Sequence, residues 1–168
     1  RMLSSTRWSF IIGSPVYILF AIPDWLEYRD GRVIAIRAAA VGCFAALFAL
    51  TYRPVGKRHP YVFAFLGFFI ASLSLDAIMI LMRDVGDNAE GFGLITFLFC
   101  LLVPATMMQS VVACAVYVGM YLAPALSAAV PHGKPNTGGI LILVIGTAAG
   151  LIKTWFNQRQ DRRESQNE

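Results

Sequence analysis

The stretch that decides the fold is residues 91–133, GFGLITFLFCLLVPATMMQSVVACAVYVGMYLAPALSAAVPHG, a run of 43 residues without Asp, Glu, Lys or Arg. One helix of this length would measure about 64 Å, which is about twice the thickness of the hydrocarbon core of a bilayer. The stretch must therefore fold back on itself. Its most polar segment, residues 106–110 just after Pro104, predicts a tight turn between a span over 92–107 and a span over 110–129.

The composition of the whole chain is typical of an integral membrane protein. Of its 168 residues, 57% are hydrophobic and 14% are charged, and the mean hydropathy is +0.62. Soluble domains carry roughly 25% charged residues. This composition excludes a soluble enzyme and a disordered tail. It also excludes a nucleic-acid-binding module, although the net charge is +4.

Four more apolar runs, over 8–26, 33–52, 61–82 and 139–156, are long enough to cross a bilayer. The polar tail over 157–168 has no Gly or Pro and is dominated by helix formers, so we expect the last span to continue as a helix beyond the membrane. The sequence thus predicts an all-α fold. A bundle of six transmembrane helices over 1–156 precedes a cytoplasmic juxtamembrane connector helix over 157–168.

The Lys and Arg residues that flank the spans predict the orientation of the chain. Nine of them lie on the side of the two termini, and four lie on the other side. Basic residues are enriched on the cytoplasmic side of membrane proteins. We therefore expect a multi-pass protein of the cell inner (plasma) membrane, with both termini in the cytoplasm.

Three charged residues lie within the predicted spans or near their ends. Arg37 and Asp76 are each about six residues below the outer end of consecutive spans, hence about 9 Å deep by helical rise, and Asp24 lies near the outer end of the first span. Charged groups in a span usually face the bundle and find partners. We expect an Arg37–Asp76 ion pair, which Asp24 could join. A pair that only fixes helix register, an Arg37 that reaches up to the outer interface, and a polar cluster that responds to a ligand all remain open.

Small residues recur at helical spacing in two spans, as they do in helices that approach each other closely. They are Gly146 and Gly150 in the sixth span and Ala38, Gly42 and Ala46 in the second. Such stripes serve either packing within the bundle or a homodimer interface, and the sequence leaves both open.

No catalytic or metal-binding motif is recognisable in the sequence. Cys43, Cys100 and Cys114 lie inside apolar runs without paired spacing, which indicates small membrane-buried side chains rather than a disulfide or a metal site. The two histidines, His59 and His132, fall in loops on opposite sides of the membrane. We expect no metal, no cofactor, no nucleic-acid partner and no catalysis in this segment.

The end of the sixth span predicts a signal exit toward the cytoplasm, formed by Lys153, Trp155, Arg159, Arg162 and Arg163. A charged helix that leaves the membrane suits a connector to a cytoplasmic effector domain beyond the given sequence. A basic membrane anchor is the alternative.

These features resemble the six-transmembrane N-terminal sensor or anchor domains of bacterial class III adenylate cyclases, and the related domains of sensor histidine kinases and diguanylate cyclases. The resemblance covers the whole chain and rests on short motifs. They are Ile22-Pro23-Asp24, Ala35-Ile36-Arg37, the basic loop over 53–60, the segment over 89–94, and Arg162-Arg163. The chain departs from the family in having only Phe92 as an aromatic residue in the fourth outer segment.

The resemblance implies a dimeric membrane receptor or regulator whose sixth helix leads through a coiled coil to a cyclase domain. The expected mechanism is conformational. A small or lipophilic ligand, or the state of the membrane itself, acts between the helices, where Asp24, Arg37 and Asp76 recognise the polar part of the ligand. A small transporter or channel subunit and a structural subunit of a membrane complex are the alternatives.

Overall fold

The computed structural model describes residues 2–83, 88–126 and 137–166, and every regular element in that part of the chain is an α-helix. The predicted all-α class is therefore confirmed. The helices are α1 (Met2–Leu19), α2 (Ala21–Tyr28), α3 (Gly31–Leu50), α4 (Pro54–Arg58), α5 (Pro60–Met82), α6 (Asn88–Leu102), α7 (Met107–Leu126) and α8 (Thr137–Gln166).

Five helical segments are long and apolar enough to cross a membrane. They are α1 with α2, then α3, α5, α7 to residue 124, and α8 over 140–159. The apolar part of α6, Glu90–Leu102, is shorter than these. Among the described residues, five of the six predicted spans are thus helices that are long and apolar enough to cross a membrane.

The first three long segments alternate in direction. Tyr17 of α1 packs on Phe44 of α3 at a ring distance of 5.2 Å, and Arg7 near the start of α1 donates from Nη2 to the carbonyl oxygen of Thr51 at the end of α3 (3.1 Å). These contacts make α1 and α3 antiparallel. A Cβ at Gly67 of α5 would lie 2.7 Å from the ring of Phe10, so α5 packs tightly against α1. Thr6 donates to the carbonyl oxygen of Pro60 at the start of α5 (3.1 Å), and Tyr17 bonds to Ser74 in its second half, so the two helices run in the same direction.

The second half of the chain continues this alternation. A Cβ at Gly91 would lie 2.9 Å from the side chain of Leu75, which places the start of α6 beside the last third of α5. The rings of Phe92 and Tyr121 are 5.6 Å apart, so α7 returns antiparallel to α6. Gly146 and Gly150 of α8 contact Gly93 and Cys100 of α6 in the same order along the two helices, so α8 runs parallel to α6. Met2 and the end of α8 therefore lie at the same end of the bundle, here called the terminal end. The opposite end, where α2 meets α3, is called the far end.

The long uncharged stretch folds back, but its turn lies earlier than predicted. Residues 103–106 connect α6 and α7, and Met107 already begins α7. Thr106 and Gln109, which belong to the polar segment where we expect the turn, instead cap the start of α7. The backbone N–H of Gln109 donates to Oγ1 of Thr106 (3.3 Å), and the backbone N–H of Thr106 donates to Oε1 of Gln109 (2.9 Å). This reciprocal capping box satisfies backbone donors at the helix start, so α7 begins where we expected a turn.

Basic side chains close two helix ends at the terminal end of the bundle. Arg7 binds Thr51, the residue that caps α3, and Lys153 of α8 donates from Nζ to the carbonyl oxygen of Leu101 in the last turn of α6. The last carbonyls of a helix have no partner within it, and the negative end of the helix dipole favours a cation there. Both side chains therefore stabilise helix termini that lie next to apolar surroundings.

The tightest packing between two helices joins α6 to α8. A Cβ at Gly146 would lie 2.7 Å from the carbonyl oxygen of Gly93, and a Cβ at Gly150 would lie 2.7 Å from Cβ of Cys100. Gly146 and Gly150 therefore act in packing within the chain, one of the two roles the sequence left open. The sequence analysis missed Gly93, which faces them from α6.

We expect Gly146→Val to lower the free energy of unfolding by about 2 kcal/mol, because the new side chain must displace the backbone of α6. Gly119→Val is the matched control, since Gly119 lies in α7 with nothing within 4 Å of its missing Cβ. Unfolding of the chain in mixed detergent micelles by sodium dodecyl sulfate, followed by circular dichroism, compares the two. Equal loss of stability in both variants would contradict this account of the α6–α8 contact.

Candidate ligand-binding cavity

A buried ion pair joins the first two membrane segments. The guanidinium Nε of Arg37 in α3 donates to Oδ2 of Asp24 in α2 at 2.7 Å, and the two side chains are 6% and 14% exposed. Only Arg29 and Asp30 separate α2 from α3. This tight connection folds the two helices against each other, so residues 13 positions apart in the chain reach the same depth.

The predicted Arg37–Asp76 ion pair is wrong. Within the described residues Arg37 pairs with Asp24 alone, and Oδ1 of Asp76 is buried without a hydrogen-bond partner. Equal depth on neighbouring helices does not fix the rotation of each helix. Ser74 of α5 faces Tyr17, and Asp76, two residues further on, points about 200° away from Ser74 around the helix axis. Asp76 therefore faces away from Arg37.

Tyr17 and Ser74 extend the ion pair into a polar chain that connects four helices. The guanidinium carbon of Arg37 lies 4.6 Å from the ring centroid of Tyr17, within the range of a cation–π contact. The Tyr17 hydroxyl bonds to Oγ of Ser74, and Ser74 donates its own proton to the carbonyl oxygen of Ala71 (2.8 Å). Tyr17 is therefore the donor to Ser74. This chain holds α1, α2, α3 and α5 in one register.

Sequence reasoning missed Tyr17 and Ser74. A signal for Tyr17 was present, because it precedes Asp24 by seven residues and two turns of a helix return to the same face. No comparable signal marks Ser74, since serines are common in spans and its role depends on how α5 is rotated.

The polar chain borders a cavity of about 150 Å³ between α1, α2, α3, α5 and α6. Its polar lining includes the ion pair and four further side chains, namely Tyr17, Glu90, Ser9 and Ser14. The remaining lining is mostly apolar and aromatic and includes Phe10, Phe20, Phe44, Phe68, Leu75, Ile95 and Leu98. The cavity is thus amphiphilic, with a charged region and an apolar region.

The cavity has an open side between α1 and α6. Gly13 and Ser14 of α1 and Leu94 and Leu98 of α6 line the cavity and are all partly exposed. A Cβ at Gly13 would meet no atom within 4 Å, so the space beside it is open. The cavity is therefore accessible from the outer surface of the bundle.

The charges of the cavity do not favour an anion. Asp24 already neutralises Arg37, and Glu90 adds a second carboxylate, so the described lining carries two acidic groups and one basic group.

A second ion pair lies on the surface of the far end, where Arg32 bonds to Asp30 at 2.7 Å. Hydrogen bonds from Arg32 hold the pKa of Asp30 below its usual range. Because Asp30 also accepts a hydrogen bond from the backbone of Arg32, it caps α3.

The small residues of α3 lie on the outside of the structure. Ala38, Gly42 and Ala46 are all exposed, and a Cβ at Gly42 would meet nothing within 4 Å. Packing within the bundle, one of the two roles considered for them, is therefore wrong for this stripe.

The predicted exit residues lie on one continuous helix, since α8 extends from Thr137 past the last apolar residue to Gln166. Trp155 is about half exposed, and the guanidinium carbon of Arg159 lies 5.2 Å from the centroid of its indole ring. Arg162 and Arg163 belong to the last two turns of α8. His132, together with Asp84, Asp87 and Lys134 of the predicted outer loops, lies outside the described residues.

Comparison of the chain with protein-family models, with curated proteins and with solved structures finds no match in any of the three. Among residues 2–83, 88–126 and 137–166, no three His, Cys, Asp or Glu side chains are grouped closely enough to hold a metal ion.

We expect Arg37→Ala to lower the free energy of unfolding by about 3 kcal/mol, because it leaves the Asp24 carboxylate buried without its partner. Adding Asp24→Ala should cost less than the sum of the single substitutions, with a coupling energy of about 1 kcal/mol or more. Unfolding of the four proteins of this double-mutant cycle in mixed micelles measures the coupling.

The same cycle with Asp76→Ala is the control, because Asp76 is also an aspartate in a neighbouring helix but does not contact Arg37. We expect additive losses there. Coupling of Arg37 to Asp76, with none to Asp24, would overturn the assignment of the ion pair.

Proposed function

We propose that this chain is a membrane-embedded sensory or regulatory domain that binds an amphiphilic ligand in the cavity beside Asp24 and Arg37. The observation that carries the proposal is a buried ion pair on the wall of an open cavity whose lining is mostly apolar. Charged groups in membrane segments are costly and tend to mark functional sites. A pocket lined by apolar rings with a few convergent polar groups is the usual form of a small-molecule site.

The size of the cavity limits how a ligand fits. About 150 Å³ is comparable to an engineered protein cavity that holds one benzene molecule. A longer ligand would therefore place only part of its chain against Phe10, Phe44 and Phe68, and the rest would extend through the gap between α1 and α6 into lipid. Its head would lie beside Tyr17 and the ion pair, where an amine or a hydroxyl suits the surplus of carboxylates better than an anion does.

Helix α6 provides the path from the cavity to the exit. Leu94 and Ile95 of α6 line the cavity, and Gly93 of the same helix packs on Gly146 of α8. A ligand that moves α6 would thus move α8 and the segment that carries Trp155, Arg159, Arg162 and Arg163. The ligand needs only to favour one of two helix arrangements by a few kcal/mol.

The wider assignment rests on the alternating helices and on the resemblance in sequence. We place α6 as a sixth, short span in a cell inner membrane, with the terminal end in the cytoplasm. The output most consistent with the resemblance is a class III adenylate cyclase, and a histidine kinase or diguanylate cyclase would suit the same connector. A homodimer would use the exposed small face of α3 at Ala38, Gly42 and Ala46.

A transport function is the second candidate, and Asp76 favours it. Oδ1 of Asp76 and Oγ of Ser72, one helical turn earlier in α5, are both buried and have no hydrogen-bond partner in the part of the chain that the structure describes. Such groups are typical of ion or proton pathways. The test measures the flux of protons or ions into liposomes that hold only this chain. A flux that is lost in Asp76→Asn would establish this function in place of the sensory one.

We expect dodecylamine or dodecanol to raise the Tm of the solubilised chain more than dodecanoic acid does, because the cavity carries more acidic than basic groups. Ligand that binds only the folded state raises stability in proportion to the logarithm of its concentration. Gly13→Leu should weaken the response at least tenfold by filling the gap beside α1.

Gly119→Leu is the matched control, since Gly119 is also a helical glycine with open space around it but lies in α7, outside the cavity. It should leave the response unchanged. The absence of a Tm shift with all three amphiphiles, or equal responses in the two variants, would contradict the ligand site.

A further inference from the structure

Two buried cysteines lie side by side between α6 and α7. Sγ of Cys100 is 3.7 Å from Sγ of Cys114, and both residues are almost completely buried as free thiols. Their spacing in the sequence does not predict a pair, because 14 residues and a helical turn-back separate them. The antiparallel packing of α6 and α7 brings them together.

This pair lies directly against the exit helix. Gly150 of α8 packs on Cys100 so closely that a Cβ there would lie 3.0 Å from the Cys100 sulfur. Hydroxyls surround the same place, with Oγ of Ser110 in α7 3.4 Å from Oγ1 of Thr154 in α8. Three helices therefore meet at the two thiols.

We propose that Cys100 and Cys114 form an oxidisable dithiol, which a membrane-soluble hydroperoxide converts into a disulfide between α6 and α7. A disulfide has an S–S length of about 2.05 Å, so the two sulfurs need to approach by less than about 2 Å. Small rotations about the side-chain bonds, together with slight movement of the two helices, supply this approach.

The position of Cys100 suits it for the first step. It lies two residues, and hence about 3 Å along the helix axis, from the end of α6, which faces the terminal end of the bundle. Lys153 places its ammonium group on the carbonyl oxygen of the next residue, Leu101. A positive charge near a thiol favours the thiolate, which is the nucleophilic form.

The reaction consumes one hydroperoxide and leaves one disulfide. The Cys100 thiolate attacks the terminal oxygen of the hydroperoxide, the O–O bond breaks, and the alkoxide leaves and takes up a proton to become an alcohol. Cys114 then attacks the resulting sulfenic acid of Cys100. The S–S bond forms, and the hydroxyl group leaves as water with the proton of Cys114. Both sulfurs are oxidised, and the peroxide oxygen is reduced.

Closing this bond changes the contact between α6 and α8, because the sulfur of Cys100 moves toward α7 while it packs on Gly150. The oxidation state of the pair would thus act on the exit helix. This inference does not depend on a ligand in the cavity, which lies on other residues of α6.

The test uses the full chain with Cys43→Ser, which removes the exposed thiol, in lipid nanodiscs. After treatment with cumene hydroperoxide, the intact mass should fall by two hydrogen atoms and both thiols should become unreactive to maleimide after denaturation. Dithiothreitol should reverse both changes. Because the fold holds the sulfurs together, the reaction should be at least about tenfold faster than in chain unfolded in dodecyl sulfate.

Cys43 of the wild-type chain is exposed on α3, so its oxidation shows which hydroperoxide dose is sufficient to oxidise an accessible thiol. Cys114→Ser in the Cys43→Ser background should lose no hydrogen atoms. Two outcomes in the Cys43→Ser chain would overturn the proposal. In the first, both thiols still react with maleimide after a hydroperoxide dose that oxidises Cys43 in the wild-type chain. In the second, the mass rises by oxygen and no hydrogen is lost.

Discussion

A buried ion pair in an apolar medium is the constraint on which the rest of this structure depends. Asp24 and Arg37 are each largely removed from solvent, and their nitrogen and oxygen atoms are 2.7 Å apart. An isolated charge at this depth is costly, so each residue requires the other. Their contact fixes α2 against α3, and the contacts of Arg37 with Tyr17, and of Tyr17 with Ser74, extend the same register to α1 and α5. The cavity is the space that this arrangement leaves open.

Helix α6 connects this arrangement to α8. One of its faces lines the cavity and another packs on α8 through glycines, where backbones touch directly. Contacts of this kind leave little room for side chains to absorb a shift. Movement of α6 would therefore be passed to α8, which is a single helix of 30 residues and about 45 Å. The dithiol at Cys100 and Cys114 lies on the same helix and would act on the same contact.

Much of the fold follows from the sequence, whereas the site follows from it only in part. The lengths of the apolar runs and the need to fold residues 91–133 back on themselves predict the helices and the hairpin of α6 and α7. The position of that turn is wrong because Thr106 and Gln109 are polar for a different reason, namely the capping of α7. Asp24 and Arg37 are identifiable as charges in membrane segments. Which charges pair depends on the rotation of each helix about its own axis, and depth in the membrane does not determine that rotation. The predicted pairing of Arg37 with Asp76 is wrong for this reason.

The most direct test of this account is the nuclear magnetic resonance signal of the Arg37 Nε–H group in lipid nanodiscs. The structure predicts a slowly exchanging proton with a resonance shifted by its hydrogen bond to a carboxylate. That signal should be lost in Asp24→Ala, be unchanged in Asp76→Ala, and move when dodecylamine is added. A signal that is insensitive to Asp24→Ala, or that is lost in Asp76→Ala, would contradict the ion pair and the cavity site built on it.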